Sequence, residues 1–276
     1  MDHANSLSDS TLSGSSRTTA LFYNVVKSLR EFDQCEVDGV VTTLLSKTDR
    51  EQCFVATYQR SVSNVETLLT FGDVRHFQGV AMLARGLFEL AVDMKLLEVI
   101  PCSAERMILF TDVEKLRCAR KIVRFKERNP NAALDSSQYA RFISSERARI
   151  DLAQRKLWPN LKRVEHWTGR SLAQRVALLN SPFDEFYEAY YPLLSWYVHA
   201  GLTGVINLRA EAIITMCGIA FRLAAESYCL TLHSVIREFG ITKGNDKILQ
   251  KLRAAKLLPF ADNPEQAEQV FRDLVG

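Results

Sequence analysis

Apolar residues recur at helical spacing along most of the chain, and the longest such run extends from Phe77 to Ile100. Within most of this run only Arg85, Glu89 and Asp93 interrupt the apolar surface, at spacings of four residues. Side chains four residues apart lie on one face of an α-helix, so these three charges form a single stripe. The pattern predicts an interior helix whose charged stripe faces either partner side chains or a cleft.

Similar patterns on both sides of this run predict further helices. Gly72 and Gly240 are placed to end helices and Asp73 and Ser103 to begin them. Pro192 must kink or restart its helix because it removes a backbone donor. No run of strand periodicity is long enough to compete, so we expect an all-α fold. The predicted additional helices cover about residues 17–32, 37–45, 49–72, 104–128, 136–157, 171–179, the tyrosine-rich stretch after Ser181 and Pro182, and 208–239.

The chain divides into three predicted parts. Residues 1–16 are small and polar with almost nothing to bury, which predicts a disordered N-terminal tail. Residues 17–240 predict one multi-helix, largely up-and-down bundle, and a chain of 276 residues is long enough to bury a large core. Residues 241–276 predict two short helices that pack on the bundle.

The composition favours a cytoplasmic protein without a cofactor. The six cysteines are scattered singly, without the CxxC spacing of a zinc site or a redox dithiol, and no signal peptide is apparent. A second apolar run, Ile213 to Leu232, carries Arg222 and Glu226 near its middle. Each charge would cost roughly 2.5 to 3.5 kcal/mol at the centre of a bilayer, so burial in a protein core is the better account. Glycine-rich phosphate loops and the paired Glu-x-x-His motifs of di-iron bundles are absent from the sequence.

The charge is unevenly distributed, although the net charge is only +3. Residues 115–163 contain fourteen Lys or Arg against four Asp or Glu, which gives +10 there and −7 elsewhere. Such a segment is either a solvated helix surface or a phosphate-binding surface with Trp158 and Trp167 available for base stacking. The candidate nucleic-acid-binding residues are Arg117, Arg120, Lys121, Arg124, Arg155, Lys156, Lys162 and Arg163.

Two further groups of residues are candidates for chemistry. Arg222 and Glu226 repeat the Arg-x-x-x-Glu spacing of Arg85 and Glu89, which predicts a charge network between helices. Ser195 and His199 share one helix face in a region crowded by tyrosines. Imidazole is the usual proton-transfer group near neutral pH, and the alternative is a structural histidine.

Three short motifs, taken in order, resemble a bacterial family of helical proteins that is classed only as a domain of unknown function. These are Arg85-x-Leu87-x-Glu89 on the apolar helix, a Trp167-Thr-Gly-Arg-Ser element, and the tyrosine-rich helix ending Leu194-Ser195-Trp-Tyr-Val-His199. The resemblance covers about residues 20–240. It implies Arg85, Glu89, Ser195 and His199 as the functional residues rather than a particular reaction.

That family is also broadly similar to the HEPN ribonuclease bundles of toxin and defence systems, which carry Arg-x(4 to 6)-His on one helix. In this chain the positions that would hold the arginine before His199 are occupied by Pro192, Leu193 and Leu194. Arg163 precedes His166 by only three residues. A ribonuclease of this kind would have to bring Arg85 or Arg222 to His199 through the fold.

Two functions follow as expectations, both with Arg85, Glu89, Ser195 and His199 meeting at one interior or cleft-lining polar site. The first is a non-catalytic helical module that binds a partner protein or RNA in a bacterial defence, toxin-antitoxin or regulatory system. The alternative is a HEPN-like, metal-independent endoribonuclease with His199 as general acid/base and an arginine that stabilises the pentavalent phosphate. Homodimerisation is compatible with either function, and no membrane partner is expected.

Overall fold

The computed structural model describes residues 9–43, 48–179, 181–198 and 210–241, and every regular element within them is helical. The all-α prediction is therefore confirmed for this part of the chain. The closing helices predicted after residue 241 and the first eight residues of the predicted tail lie outside the described residues. The elements are α1 (Asp9–Glu36), α2 (Asp38–Thr43), α3 (Asp49–Thr70), a 3-10 helix (Val74–His76), α4 (Phe77–Val99), α5 (Ser103–Arg128), α6 (Ser137–Leu157), α7 (Leu172–Val176), α8 (Phe183–Ala189), α9 (Tyr191–Val198) and α10 (Ala210–Glu238).

Local signals at helix ends account for some of these boundaries. Gly240 has a φ of 56° just after α10, as the capping prediction requires. The predicted interruption near Pro192 is confirmed, because α8 ends at Ala189 and α9 begins at Tyr191, which places Pro192 in its first turn. Asp73 caps the 3-10 helix rather than α4 itself. The prediction that Ser103 is an N-cap is wrong: Cys102 occupies that position, and the Ser103 hydroxyl donates to the carbonyl of Leu97 at 3.0 Å.

The α1 helix is longer than its amphipathic pattern. Its backbone is helical from Asp9, eight residues before the predicted start at Arg17. Among the residues of α1 whose burial is described, from Arg17 onward, the first buried apolar residues are Phe22 and Val25. The apolar pattern therefore locates this packed part of α1 but not the residue at which the helix begins.

Helices α4 and α10 form the centre of the bundle and pack against each other. Helix α3 packs on both, α1 covers α10, and α9 covers α4. Helix α10 is long and apolar enough to cross a membrane. However, 72% of its most apolar 18-residue stretch is buried inside the protein, as expected for a core helix. Arg50 of α3 joins the ends of these helices, since it donates to both carboxylate oxygens of Glu238, at 2.6 and 2.8 Å, and to the carbonyl of Leu97 at 2.7 Å.

A second, smaller core lies between α5 and α6. Ile150 is fully buried there, and the indole of Trp158 donates to the carbonyl of Trp167 at 3.1 Å. Helix α6 packs mainly on α5, so the two helices form a hairpin beside the bundle. The buried members of this core are Leu109, Val113, Leu116, Ile150, Trp158 and Val164.

A fully buried carboxylate, Asp33, links α1 to two other helices. It accepts hydrogen bonds from Tyr58 of α3 at 2.6 Å and from Tyr228 of α10 at 2.5 Å, and it pairs with Arg30 at 2.6 Å. Burial raises the pKa of Asp33 above its usual value, although these three donors oppose that shift. In either protonation state the carboxyl group links α1, α3 and α10, and so fixes their positions relative to one another.

Gly72 is required by a close approach of α1. A Cβ atom at this position would lie 2.3 Å from Cε2 of Tyr23, whose hydroxyl donates to the carbonyl of Leu69 at 3.2 Å. The glycine after α3 thus leaves room for the Tyr23 ring, whereas the C-cap of α3 itself is Phe71.

Candidate functional site

The charged stripe of α4 lines an open cleft of about 520 Å³. Helix α3 forms one wall, α5 forms another, and the loop before α7 closes one end. Arg85, Glu89 and Asp93 all belong to its lining, so the stripe faces a cleft. The other lining residues are Arg60, Asn64, Met82, Gly86, Leu90, Met107, Phe110, Thr111, Glu114, His166, Trp167 and Arg175.

Tyr191 of α9 joins Arg85 to Glu89. Its hydroxyl accepts from Nη2 of Arg85 at 2.7 Å and donates to Oε1 of Glu89 at 2.7 Å. The Arg85 guanidinium carbon lies 4.5 Å from the centre of the tyrosine ring, within cation–π distance. Burial raises the pKa of Tyr191, and so does the hydrogen bond to Glu89, so the phenol remains a donor.

Asp93 binds two residues that arrive from the loop and from α7. Its Oδ1 accepts from Nη1 of Arg175 at 2.6 Å, and its Oδ2 lies 3.0 Å from Nε2 of His166. The backbone N–H of Thr168 donates to Nδ1 of His166 at 3.2 Å, and Nε2 of the ring also lies 3.0 Å from Nη1 of Arg175. Both ring nitrogens are therefore engaged by the protein, and neither is left to take a proton from a ligand.

Arg222 and Glu226 form the predicted second pair, with Nε and Oε1 3.2 Å apart. Glu226 is only 3% exposed, and its Oε2 has no hydrogen-bond partner among the described residues. Burial raises the pKa of Glu226 to about 8, because the attraction of Arg222 offsets only part of the desolvation. The Arg222 guanidinium carbon lies 5.0 Å from the ring centre of Tyr190. Two consecutive tyrosines, Tyr190 and Tyr191, thus cover arginines from the two central helices.

The structure brings together only part of the predicted catalytic set. Arg85 and Glu89 meet through Tyr191, whereas the Ser195 hydroxyl donates to the carbonyl of Tyr191 at 2.8 Å, inside its own helix. Ser195 is not among the described residues that line the cleft. His199 lies outside the described residues.

Three residues that bind the charged stripe of α4 were not apparent from the sequence as functional candidates. Tyr191 was one of several tyrosines, and Arg175 lies on a short helix that begins with a capping box from Ser171. His166 attracts attention only through its neighbour Arg163, which pairs instead with Glu165 at 3.4 Å. The available signal was the Trp167-Thr-Gly-Arg-Ser motif, which lies between His166 and Arg175.

The basic segment is partly neutralised by local acids. Arg117 pairs with Glu114 and also donates to the carbonyl of Val164, and Arg120 lies 3.4 Å from Asp151. The other candidates apart from Arg163 are exposed and form no ion pair with a described residue: Lys121, Arg124, Arg155, Lys156 and Lys162.

Part of this unpaired charge lies on a single face of α5. Lys121, Arg124 and Arg128 follow one another at spacings of three and four and are exposed, and Phe125 among them is 44% exposed. We call these four residues the α5 stripe. It combines unpaired cations with an uncovered aromatic ring.

No group of three or more candidate metal ligands occurs among the described residues.

Comparison with known proteins gives one finding about family. The chain matches neither a curated protein nor a solved structure. A family model does match residues 52–233, a span that includes every residue lining the cleft and both arginine–glutamate pairs. The chain therefore belongs to the family of unknown function DUF5677.

Proposed function

We propose that this protein is a non-catalytic helical module that binds single-stranded RNA along the outer face of α5. The observation that carries the proposal is the α5 stripe, in which unpaired Lys and Arg side chains surround the exposed ring of Phe125. Cations attract phosphates regardless of sequence, and an exposed aromatic ring stacks on bases. The setting we propose, a cytoplasmic bacterial defence, toxin-antitoxin or regulatory system, rests on the resemblance noted from the sequence.

The state of the cleft supports binding rather than acid/base catalysis. His166 has both ring nitrogens engaged, and Asp93 is held by Arg175. Glu89 accepts from Tyr191, a phenol whose pKa is raised. A general base needs an accessible lone pair within hydrogen-bond reach of its substrate. The imidazole that lines the cleft does not offer one in this arrangement.

The test is the salt dependence of binding to a fluorescently labelled oligouridylate. For single strands, the logarithm of the binding constant should fall with the logarithm of salt concentration at about 0.7 per phosphate contact. Neutralising two cations in a Lys121→Gln/Arg124→Gln variant should reduce that slope by roughly 1.4. Phe125→Ala should weaken binding roughly 5- to 150-fold without changing the slope, since it removes stacking alone.

A matched control removes the same charge elsewhere. An Arg17→Gln/Lys27→Gln variant alters two exposed cations of α1 and should leave both affinity and slope as in the wild type. Absence of wild-type binding at about 50 mM salt would contradict the proposal, as would equal weakening by the control. In either case a protein partner becomes the better reading of this surface.

A further inference from the structure

We infer that the cleft is a nucleotide pocket continuous with the α5 stripe, and that it takes one unpaired nucleotide of the strand bound along α5. This inference rests on the proposed function and adds to it a specific site for a base and its phosphate. The cleft and the stripe are separate features in the sequence, and the course of α5 connects them.

One face of α5 carries both features. Met107, Phe110, Thr111 and Glu114 line the cleft, and the α5 stripe continues from Lys121 at the same helical spacing of three and four. Seven residues of helix separate Glu114 from Lys121, a distance of about 10 Å. Stacked nucleotides advance by about 3.4 Å each, so a strand on the stripe reaches the cleft within about three nucleotides.

The cleft offers an apolar wall suited to a planar base. Met107, Phe110 and Trp167 belong to it, and the Phe110 ring centre lies 6.1 Å from that of His166. A volume of about 520 Å³ is within the usual range of about 300 to 1,000 Å³ for small-ligand sites. The volume of the cleft is therefore sufficient for a single nucleotide.

Uncommitted polar groups on α3 face the same space. Arg60 and Asn64 are four residues apart on α3 and form no side-chain hydrogen bond with another described residue. Arg60 supplies a free cation for a phosphate, and the Asn64 amide supplies one donor–acceptor edge for a base. Asn64 lies against α4 at Gly86, where a Cβ atom would be 3.1 Å from its Nδ2.

Buried donors at the cleft also lack acceptors. Nε1 of Trp167 and Nε of Arg85 are both buried without a hydrogen-bond partner in the described part of the chain, and Trp167 is only 2% exposed. An unsatisfied buried donor is unfavourable, and a ligand oxygen that reached it would relieve that cost. The acidic residues of the cleft repel a bound anion only weakly, because each already has a donor as partner. These pairs are Glu89 with Tyr191, Asp93 with Arg175, and Glu114 with Arg117.

Filling the cleft gives a direct test. Thr111 lines it, is exposed, and its hydroxyl donates only to the carbonyl of Met107 in its own helix, at 3.2 Å. Thr111→Trp should occlude the pocket without touching the core. The control is Thr70→Trp on α3, where the exposed threonine makes the same kind of bond, to the carbonyl of Glu66 at 2.8 Å. Arg60→Gln is the second cleft variant, and it removes the free cation with little change in volume.

Two probes are measured on each folded variant: uridine monophosphate by calorimetry, and the oligouridylate by fluorescence. Thr111→Trp should abolish mononucleotide binding and weaken oligouridylate at least about fivefold at an unchanged salt slope, because it removes one stacked base. Arg60→Gln should weaken the mononucleotide and lower the oligouridylate slope by about 0.7. Thr70→Trp should match the wild type with both probes.

The outcomes separate this inference from the proposed function. If Lys121→Gln/Arg124→Gln weakens oligouridylate while Thr111→Trp and Arg60→Gln match the wild type with both probes, the pocket is refuted and the RNA surface stands. If mononucleotide binds and Thr111→Trp removes it while wild-type protein does not bind oligouridylate, the pocket is supported and the proposed function is refuted. Binding of neither probe refutes both.

Discussion

Replacing Glu226 by glutamine should stabilise the protein at neutral pH, by an amount that grows as the pH rises. Glu226 is almost fully buried on α10, accepts a hydrogen bond from Nε of Arg222 at 3.2 Å, and lies near the negative charge of Glu185 on α8. Burial raises its pKa from 4.5 to about 8. The folded protein therefore keeps this proton in a pH range where the unfolded chain has released it.

The sign and size of the effect follow from proton linkage. Below a pH of 4.5 both states are protonated, and Glu226 contributes no pH dependence. Between 4.5 and about 8 the unfolded state binds fewer protons, so the free energy of unfolding falls as the pH rises. At about 1.4 kcal/mol per pH unit, the accumulated cost near pH 7 is roughly 3 kcal/mol. Glutamine resembles the protonated acid in shape and lacks this cost.

Urea denaturation near pH 5 and near pH 7 checks this reasoning on wild type, Glu226→Gln and a control, Glu188→Gln, on the exposed surface of α8. The advantage of Glu226→Gln should be small near pH 5 and reach about 3 kcal/mol near neutrality. The control should follow the wild type at both values. Parallel pH profiles for wild type and Glu226→Gln would show that the buried carboxyl ionises normally, and the reasoning would fail.

Three further outcomes are expected. Tyr228→Phe removes one hydrogen bond to the buried Asp33 carboxyl group and should lower the free energy of unfolding by about 1.5 to 3 kcal/mol in urea denaturation; no loss would mean that this bond adds nothing. Gly72→Ala should cost about 1 to 3 kcal/mol, since its Cβ would meet the Tyr23 ring, and a thermal melt equal to that of wild type would contradict that packing. His199→Ala and wild type should leave total RNA equally intact after expression, whereas His199-dependent degradation would favour the ribonuclease alternative.

Helical periodicity made the central elements predictable. A helix repeats every 3.6 residues, so the spacing of Arg85, Glu89 and Asp93 alone placed them on one face of a buried helix. The same reasoning identified Arg222 with Glu226 on α10. Such patterns report which side chains share a face, and that information is local.

The partners of those charges were not predictable in the same way. Tyr191 reaches Arg85 across 106 residues of sequence, and Arg175 reaches Asp93 across 82. Nothing in the local pattern of α1 distinguishes Asp33 from a solvated acid on an amphipathic helix, although it proves to be fully buried. Long-range polar contacts of this kind depend on how the helices assemble, which spacing along the chain does not encode.

The adjacency of Tyr190 and Tyr191 limits how the chain can change in length. Each ring covers an arginine from a different central helix, so the two residues form a spacer between α10 and α4 that has a fixed length. One inserted residue between them would add about 3.8 Å of chain and move one ring off its guanidinium. Connections between helices usually accept insertions. The turn between α5 and α6 should do so, whereas the single-residue break between α8 and α9 should accept neither an insertion nor a deletion.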